Sequence, residues 1–143
     1  TCVAATTYLI PSAVNDLLLA TQTLKYTQSN SIVIAKNGKT IGIAAGQQSR
    51  IDAVKLACDK AYKHTLLQQY LNNTDMFKDM KNQDRINAIL NHIESSKDKV
   101  WMYNLSLASD GFFPFRDNID VAAKYGICYI ILKFSNTSGN YFK

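Results

Sequence analysis

Lys25 to Arg50 reads KYTQSNSIVIAKNGKTIGIAAGQQSR, and the fold is decided inside it. Ser31-Ile32-Val33-Ile34-Ala35 is a β-branched run of strand length, the pattern of a strand buried on both faces. Thr40-Ile41-Gly42-Ile43-Ala44 alternates as a strand with one buried face should. Asn37-Gly38 lies between them. Asn-Gly between two apolar runs is the strongest local hairpin signal, because a type I′ turn needs positive φ at both central residues. Gly46-Gln47-Gln48-Ser49-Arg50 then leads into a helix, for which Ser49 is a natural N-cap and Asp52 suits the positive end of the dipole. Backbone N–H groups therefore point into this loop, although the same residues also make a plain strand-to-helix turn.

On either side of this unit helices alternate with strands, which predicts an α/β layered fold. A first helix is expected from about Ser12, behind Pro11, to Leu24, with Val14, Leu17, Leu18 and Thr21 on its inner side. The long helix from about Ser49 to Tyr70 sets Val54, Ala57, Cys58, Ala61 and Thr65 on one stripe, small enough to pack closely on a sheet. Asn72 to Asp84 reads as a polar loop. Asp84 to Ser95 reads as a helix with Ile86, Ile89, Leu90 and Ile93 inward, and Tyr103 to Ala108 as a strand. The Phe-rich segment Phe112-Phe113-Pro114-Phe115-Arg116-Asp117-Asn118 follows. Asp117 or Asn118 is expected to cap the next helix, and Gly126 to stop it before a buried strand, Ile127 to Leu132.

With 143 residues and 47% hydrophobic composition, the chain is long enough for one substantial core. No apolar run approaches the ~18 residues needed to span a bilayer. Thr1 to Ile10 has neither a basic n-region nor an initiator methionine, so it is expected to be the edge of a longer chain rather than a signal peptide. Without a secretion signal the sequons at Asn72-Asn73-Thr74 and Asn136-Thr137-Ser138 carry no meaning. Cys2, Cys58 and Cys128 are odd in number and far apart, the pattern of buried, reduced thiols in the cytosol. The net charge of +5 comes from Lys and Arg scattered along the chain without an aromatic-interleaved stripe, so no nucleic-acid partner is expected. His64 and His92 have no Cys at ligand spacing and Glu94 is the only glutamate. A zinc-deaminase centre needs His or Cys, a nearby Glu and a Cys-x-x-Cys pair, so no zinc is expected.

KYTQSNS, AKNG, AAGQQSRI, the LACDKA helix and FFPFRDN follow one another in this order, with weaker echoes at Met76-Phe77-Lys78 and Ile86-Asn87-Ala88-Ile89. In this the chain, from about Asn15 to Ile130, resembles the second half of the transformylase domain of the bifunctional purine-synthesis enzymes. These join 5-aminoimidazole-4-carboxamide ribotide (AICAR) formyltransferase to IMP cyclohydrolase. The resemblance implies a cytidine-deaminase-like three-layer α/β/α sandwich, of which the family's transformylase domain holds two copies. Residues 1–132 would be the second copy. The pattern ends after Ile130, and residues 133–143 read as a polar tail.

The implied reaction is formyl transfer from 10-formyltetrahydrofolate to the 5-amino group of AICAR in purine (IMP) biosynthesis, in the cytosol. Carried over position by position, the resemblance implies that Asn30 and Phe112 contact AICAR. It implies that Arg50, Ile51, Pro114, Phe115 and Asp117 contact the folate, with Asp117 reading the pterin's amino edge. It also implies that Thr27, Ser29, Ser31 and Asp110 belong to an oxygen-only potassium site. The family's catalytic Lys-His pair belongs to the first half of the transformylase, and Lys63-His64 stands in a different context. These residues are therefore expected to contribute no catalytic group, to be inactive alone, and to work with the remainder of the transformylase chain in a homodimer. The alternative is a non-catalytic remnant acting as a small binding or structural protein.

Overall fold

The computed structural model of the chain describes residues 9–73, 75, 77–95 and 102–133. Cys2, Thr74 and Met76, the second sequon and the tail beyond Lys133 lie outside the described residues. The elements run α1 (Pro11–Leu24), β1 (Ile32–Lys36), β2 (Lys39–Ala44), α2 (Arg50–Asn73), α3 (Asn82–Ser95), β3 (Leu105–Ser109), α4 (Asp117–Lys124) and β4 (Ile127–Leu132). The four strands form one sheet in the order β2-β1-β3-β4. β1 is antiparallel to both neighbours, and β4 runs parallel to β3.

β1 is the central ridge, and its alternation divides the core. Ile32 and Ile34 pack with Ala53, Val54, Ala57, Cys58 and Ala61 of α2 and Ala122 of α4. Val33 and Ala35 pack on the other face with Ala20 and Leu24 of α1 and with Ala108. The protein is thus a three-layer α/β/α sandwich. Each branched side chain buried this completely contributes ~1.5 to 3 kcal/mol. Leu66, Ile89 and Ile93 form a smaller cluster that fastens α3 to the far half of α2. α4 is tied to α2 by the Tyr125 hydroxyl, which donates to Asp59 Oδ1 at 2.6 Å.

The hairpin forms as the sequence implies. Asn37 and Gly38 sit at φ 51° and 74°, the left-handed pair a type I′ turn requires. Their two exposed N–H groups are met by a residue the sequence did not single out. Asp16, buried on α1, accepts from Asn37 N at 2.9 Å and Gly38 N at 2.7 Å, one bond to each carboxylate oxygen. Ser49 also caps α2, accepting from Asp52 N at 3.2 Å while its hydroxyl donates to Asp52 Oδ2 at 2.5 Å. The hydroxyl thus satisfies one free amide of the first turn and is itself oriented by the Asp52 carboxylate.

Several expectations are corrected. On α1 the buried face is Ala13, Asp16, Leu17, Ala20 and Leu24, while Val14 and Leu18 are exposed. Small residues, rather than the bulkiest, let the helix close on the sheet. The Asn72 to Asp84 loop is shorter than expected, because α2 runs on to Asn73 and α3 begins at Asn82. Thr65 is half-buried and bonds back to Ala61 O at 2.8 Å. β3 begins at Leu105 and leaves Tyr103 exposed. β4 is an edge strand, buried at Ile127 but half-buried from Tyr129 onward, and Cys128 on it is exposed. An apolar run bounded by turns cannot by itself distinguish a central strand from an edge one. Neither Asp117 nor Asn118 caps α4. Arg116 is the N-cap residue, without a side-chain cap bond, and both lie in the first turn.

Candidate functional site

The register of the sheet gathers three loops at one end. Ile32 at the start of β1 stands opposite both Ala44 at the end of β2 and Ser109 at the end of β3. The segments 25–31, 45–49 and 110–116 therefore meet at one edge, which is also where α2 and α4 begin. Loops that converge on rigid elements in this way hold side chains firmly yet leave them reachable.

Two of these loops are laced through their backbones. Gly46 N donates to Gln28 O at 2.7 Å, Asn30 N to Gln47 O at 3.3 Å and Gln47 N to Asn30 O at 3.2 Å. The Asn30 side chain adds a bond from Nδ2 to Gln47 O at 3.0 Å. This uses one amide N–H, and the Asn30 Oδ1 accepts nothing among the described residues, so an acceptor is left for a ligand. The peptide between Ser29 and Asn30 is cis.

The third loop joins through Asp110. Its Oδ1 accepts from Ser31 N at 2.9 Å and is paired with Arg50 Nη1. Arg50 also reaches Ser31 O at 3.4 Å. Its guanidinium comes close to Gly111, where an added Cβ would stand 2.6 Å from Nη2, so a side chain there would force the arginine to shift. Burial pushes the Asp110 carboxyl up, but bonding from the Ser29 hydroxyl, the Ser31 amide and the Arg50 guanidinium outweighs it. The carboxyl is held below the usual carboxylate range, as expected for an acid with an adjacent cation and donors.

Thr27, Ser29, Ser31 and Asp110 are thus brought together. Thr27 Oγ1 lies 2.8 Å from Ser31 Oγ and bonds Leu24 O at 2.9 Å. An all-oxygen set fits a hard monovalent cation in kind. The negative charge of Asp110, however, is already answered by Arg50, so such an ion would be held by hydroxyl and carbonyl dipoles.

The folate candidates divide. Arg50 turns inward to Asp110, and Ile51 is half-buried on the first turn of α2. Phe112 and Phe115 are 59% and 70% exposed, and Pro114 and Asp117 are exposed with them. Phe113, by contrast, packs against the main core and anchors the loop. Asp117 Oδ1 accepts from Asn118 Nδ2 at 2.8 Å. Large aromatic faces standing free beside a carboxylate at a helix start can stack a flat heterocycle and accept from its amino edge. His64 and His92 lie on α2 and α3, outside these loops, and the His92 ring packs edge-on against Tyr70 at 5.3 Å.

Sequence reasoning missed Gln47, Gly111 and Asn118 as parts of this site. Gln47 and Asn118 lie inside the quoted motifs. The signal for Gly111 is a glycine between the last strand residues and the Phe-rich loop.

The family model of the AICARFT/IMPCHase bienzyme matches residues 2–60. The bifunctional purine biosynthesis protein PurH of Aquifex aeolicus (strain VF5) is 36% identical over 116 residues, 81% of this chain and 16% of that protein. Its counterpart from Persephonella marina (strain DSM 14350 / EX-H1) is 38% identical over 116 residues, with the same shares covered. The chain therefore spans only 16% of the length of these curated relatives.

Proposed function

We propose, from the premise that this chain belongs to the AICARFT/IMPCHase bienzyme family, that it forms the nucleotide- and folate-binding half of an AICAR formyltransferase site. The reaction is transfer of the formyl group of 10-formyltetrahydrofolate to the 5-amino group of AICAR, in purine biosynthesis. The observation that carries this reading is the convergence of the 25–31, 45–49 and 110–116 loops, with Asn30 held by one of them, Phe112 and Phe115 presented by another and Asp117 at the start of α4.

The AICAR amine is a poor nucleophile, because its lone pair is withdrawn into the ring and the carboxamide. Orientation, proton removal and stabilisation of the developing oxyanion must supply the rate. On this reading Asn30 orients the base through the amide oxygen that Gln47 leaves open, and Phe112 packs on the nucleotide. Pro114 and Phe115 wall the pterin, Ile51 gives it an apolar face, and Asp117 accepts from its amino edge. Arg50 holds the folate side of the pocket through Asp110 and Gly111. Potassium, held by Thr27, Ser29, Ser31 and Asp110, would stiffen the 25–31 loop. Proton transfer falls to a Lys-His pair in the remainder of the transformylase chain, and the enzyme works as a cytosolic homodimer.

The test is formyl transfer by the full-length protein. Asn30→Ala should lower kcat/KM for AICAR by about tenfold or more, the scale of a lost hydrogen bond at a reacting centre. Unchanged transfer would remove Asn30 and its loop from the site.

A further inference from the structure

The loop between β3 and α4 carries its exposed residues on very little internal structure. Phe112, Pro114, Phe115 and Asp117 are all exposed, and beside Phe113 one further side chain in the segment is buried. Asn118 is 1% exposed. Its Nδ2 donates to Phe115 O at 3.2 Å and to Asp117 Oδ1 at 2.8 Å. Both partners are acceptors, so the amide orientation is fixed by chemistry: the reverse orientation would set an oxygen against two oxygens.

The other end of this amide is unsatisfied. Asn118 Oδ1 is buried and accepts no hydrogen bond among the described residues. A buried, unpaired carbonyl is unfavourable for folding, and such groups are uncommon enough to call for a reason. Helix capping is not that reason, since Arg116 is the N-cap residue of α4. What the position gains is two donors on one rigid arm, aimed at the backbone of one exposed loop residue and the carboxylate of the other.

We propose that Asn118 is a positioning residue for the folate half of the site. By holding the Phe115 carbonyl and the Asp117 carboxylate from beneath, it sets the path of the aromatic wall and the aim of the acceptor without touching the ligand. Aspartate at this position would be nearly isosteric but would face two acceptors with another. This inference rests on the reading of Phe115 and Asp117 as folate contacts.

The test is a double-mutant cycle in the full-length protein. Wild type, Asn118→Asp, Asp117→Ala and the double variant are titrated with 5-formyltetrahydrofolate as the folate probe and with AICAR, and each is melted. Asn118→Asp should weaken the folate probe by about tenfold and AICAR by less than about twofold. In the Asp117→Ala background it should add clearly less than that loss of about tenfold, since only the part of its effect that passes through the Phe115 carbonyl remains. Selective loss for folate with this non-additivity is a result that a merely structural role does not give. If Asp117→Ala weakens folate while Asn118→Asp does not, the positioning role is wrong and the pterin contact stands. If Asp117→Ala leaves folate unchanged, the pterin contact itself is wrong. Equal losses for both ligands, or fully additive ones, make Asn118 structural only. Should Asn118→Asp fail to fold, Asn118→Ser keeps one hydroxyl donor in a smaller side chain. Unchanged folate affinity in Asn118→Ser overturns the proposal, and a selective folate loss supports it.

Discussion

Arg50 and Asp110, at the first residue of α2 and the first residue beyond β3, form an ion pair whose side chains are only 13% and 15% exposed. Because the same carboxylate oxygen takes Ser31 N, one contact fastens the N-terminus of a helix to the ends of two strands. The three loops of the candidate site are therefore one mechanical unit.

That unit should be sensitive to loss of either partner. Asp110→Asn leaves a half-buried guanidinium without its counter-charge and should destabilise by about 1 to 3 kcal/mol in chemical denaturation. Arg50→Ala with Asp110→Asn should cost less than the sum of the two singles, since they share a contact. The Asp110 carboxyl is lowered in the folded state. Its contribution is thus present above the unfolded carboxylate range near pH 4 and is lost as pH falls through the folded value. Wild type should lose stability below about pH 4 more steeply than Asp110→Asn, and parallel acid profiles would show that the pair contributes nothing.

Asp16 should matter for a different reason. It satisfies both turn amides of the hairpin from a buried place on α1, so Asp16→Ala leaves two N–H groups with weakened partners. A loss of about 1 to 3 kcal/mol is expected, with faster amide exchange at Asn37 and Gly38. Unchanged exchange there would show that the turn does not depend on α1.

The described thiols should behave oppositely. Cys58 is fully buried, and desolvation, with Asp59 nearby, pushes its thiol up to about 12, whereas Cys128 is exposed. Thiolate is the reactive form. Iodoacetamide on the native protein, mapped by mass spectrometry, should modify Cys128 and spare Cys58 until denaturant is added. Early labelling of Cys58 would mean that α2 opens.

Potassium should have a modest effect. Since Arg50 already answers the Asp110 charge, exchanging potassium for tetramethylammonium should lower the melting temperature by only a few degrees, roughly 1 kcal/mol of linkage. No shift at all would remove the ion from the site.

What the sequence disclosed and what it concealed follow the range of the interactions involved. The hairpin was legible because positive φ at Asn37 and Gly38 is a local demand of a local motif, and Ser49 was legible as a cap for the same reason. The inward face of α1 was not, because hydrophobicity favours Val14 and Leu18 while packing against the sheet selects Ala13, Leu17 and Ala20. The resemblance puts Arg50 and Asp110 in separate ligand sets, one for folate and one for a cation. No spacing rule reveals a pair whose members are 60 residues apart. Asn118 read as a cap by composition, yet its donors turn to Phe115 and Asp117. The direction of a side-chain amide is set by the contacts around it, which no local motif encodes.

Asn30 is proposed to hold AICAR and Asp117 the folate, and crossed titrations test that division most directly. AICAR and a folate analogue are titrated into the full-length protein and into its Asn30→Ala and Asp117→Asn variants. Asn30→Ala should weaken AICAR and spare the folate analogue, and Asp117→Asn should do the reverse, each by roughly ten- to a hundredfold for the affected ligand. Equal losses of both ligands in both variants, or no loss in either, would contradict the account.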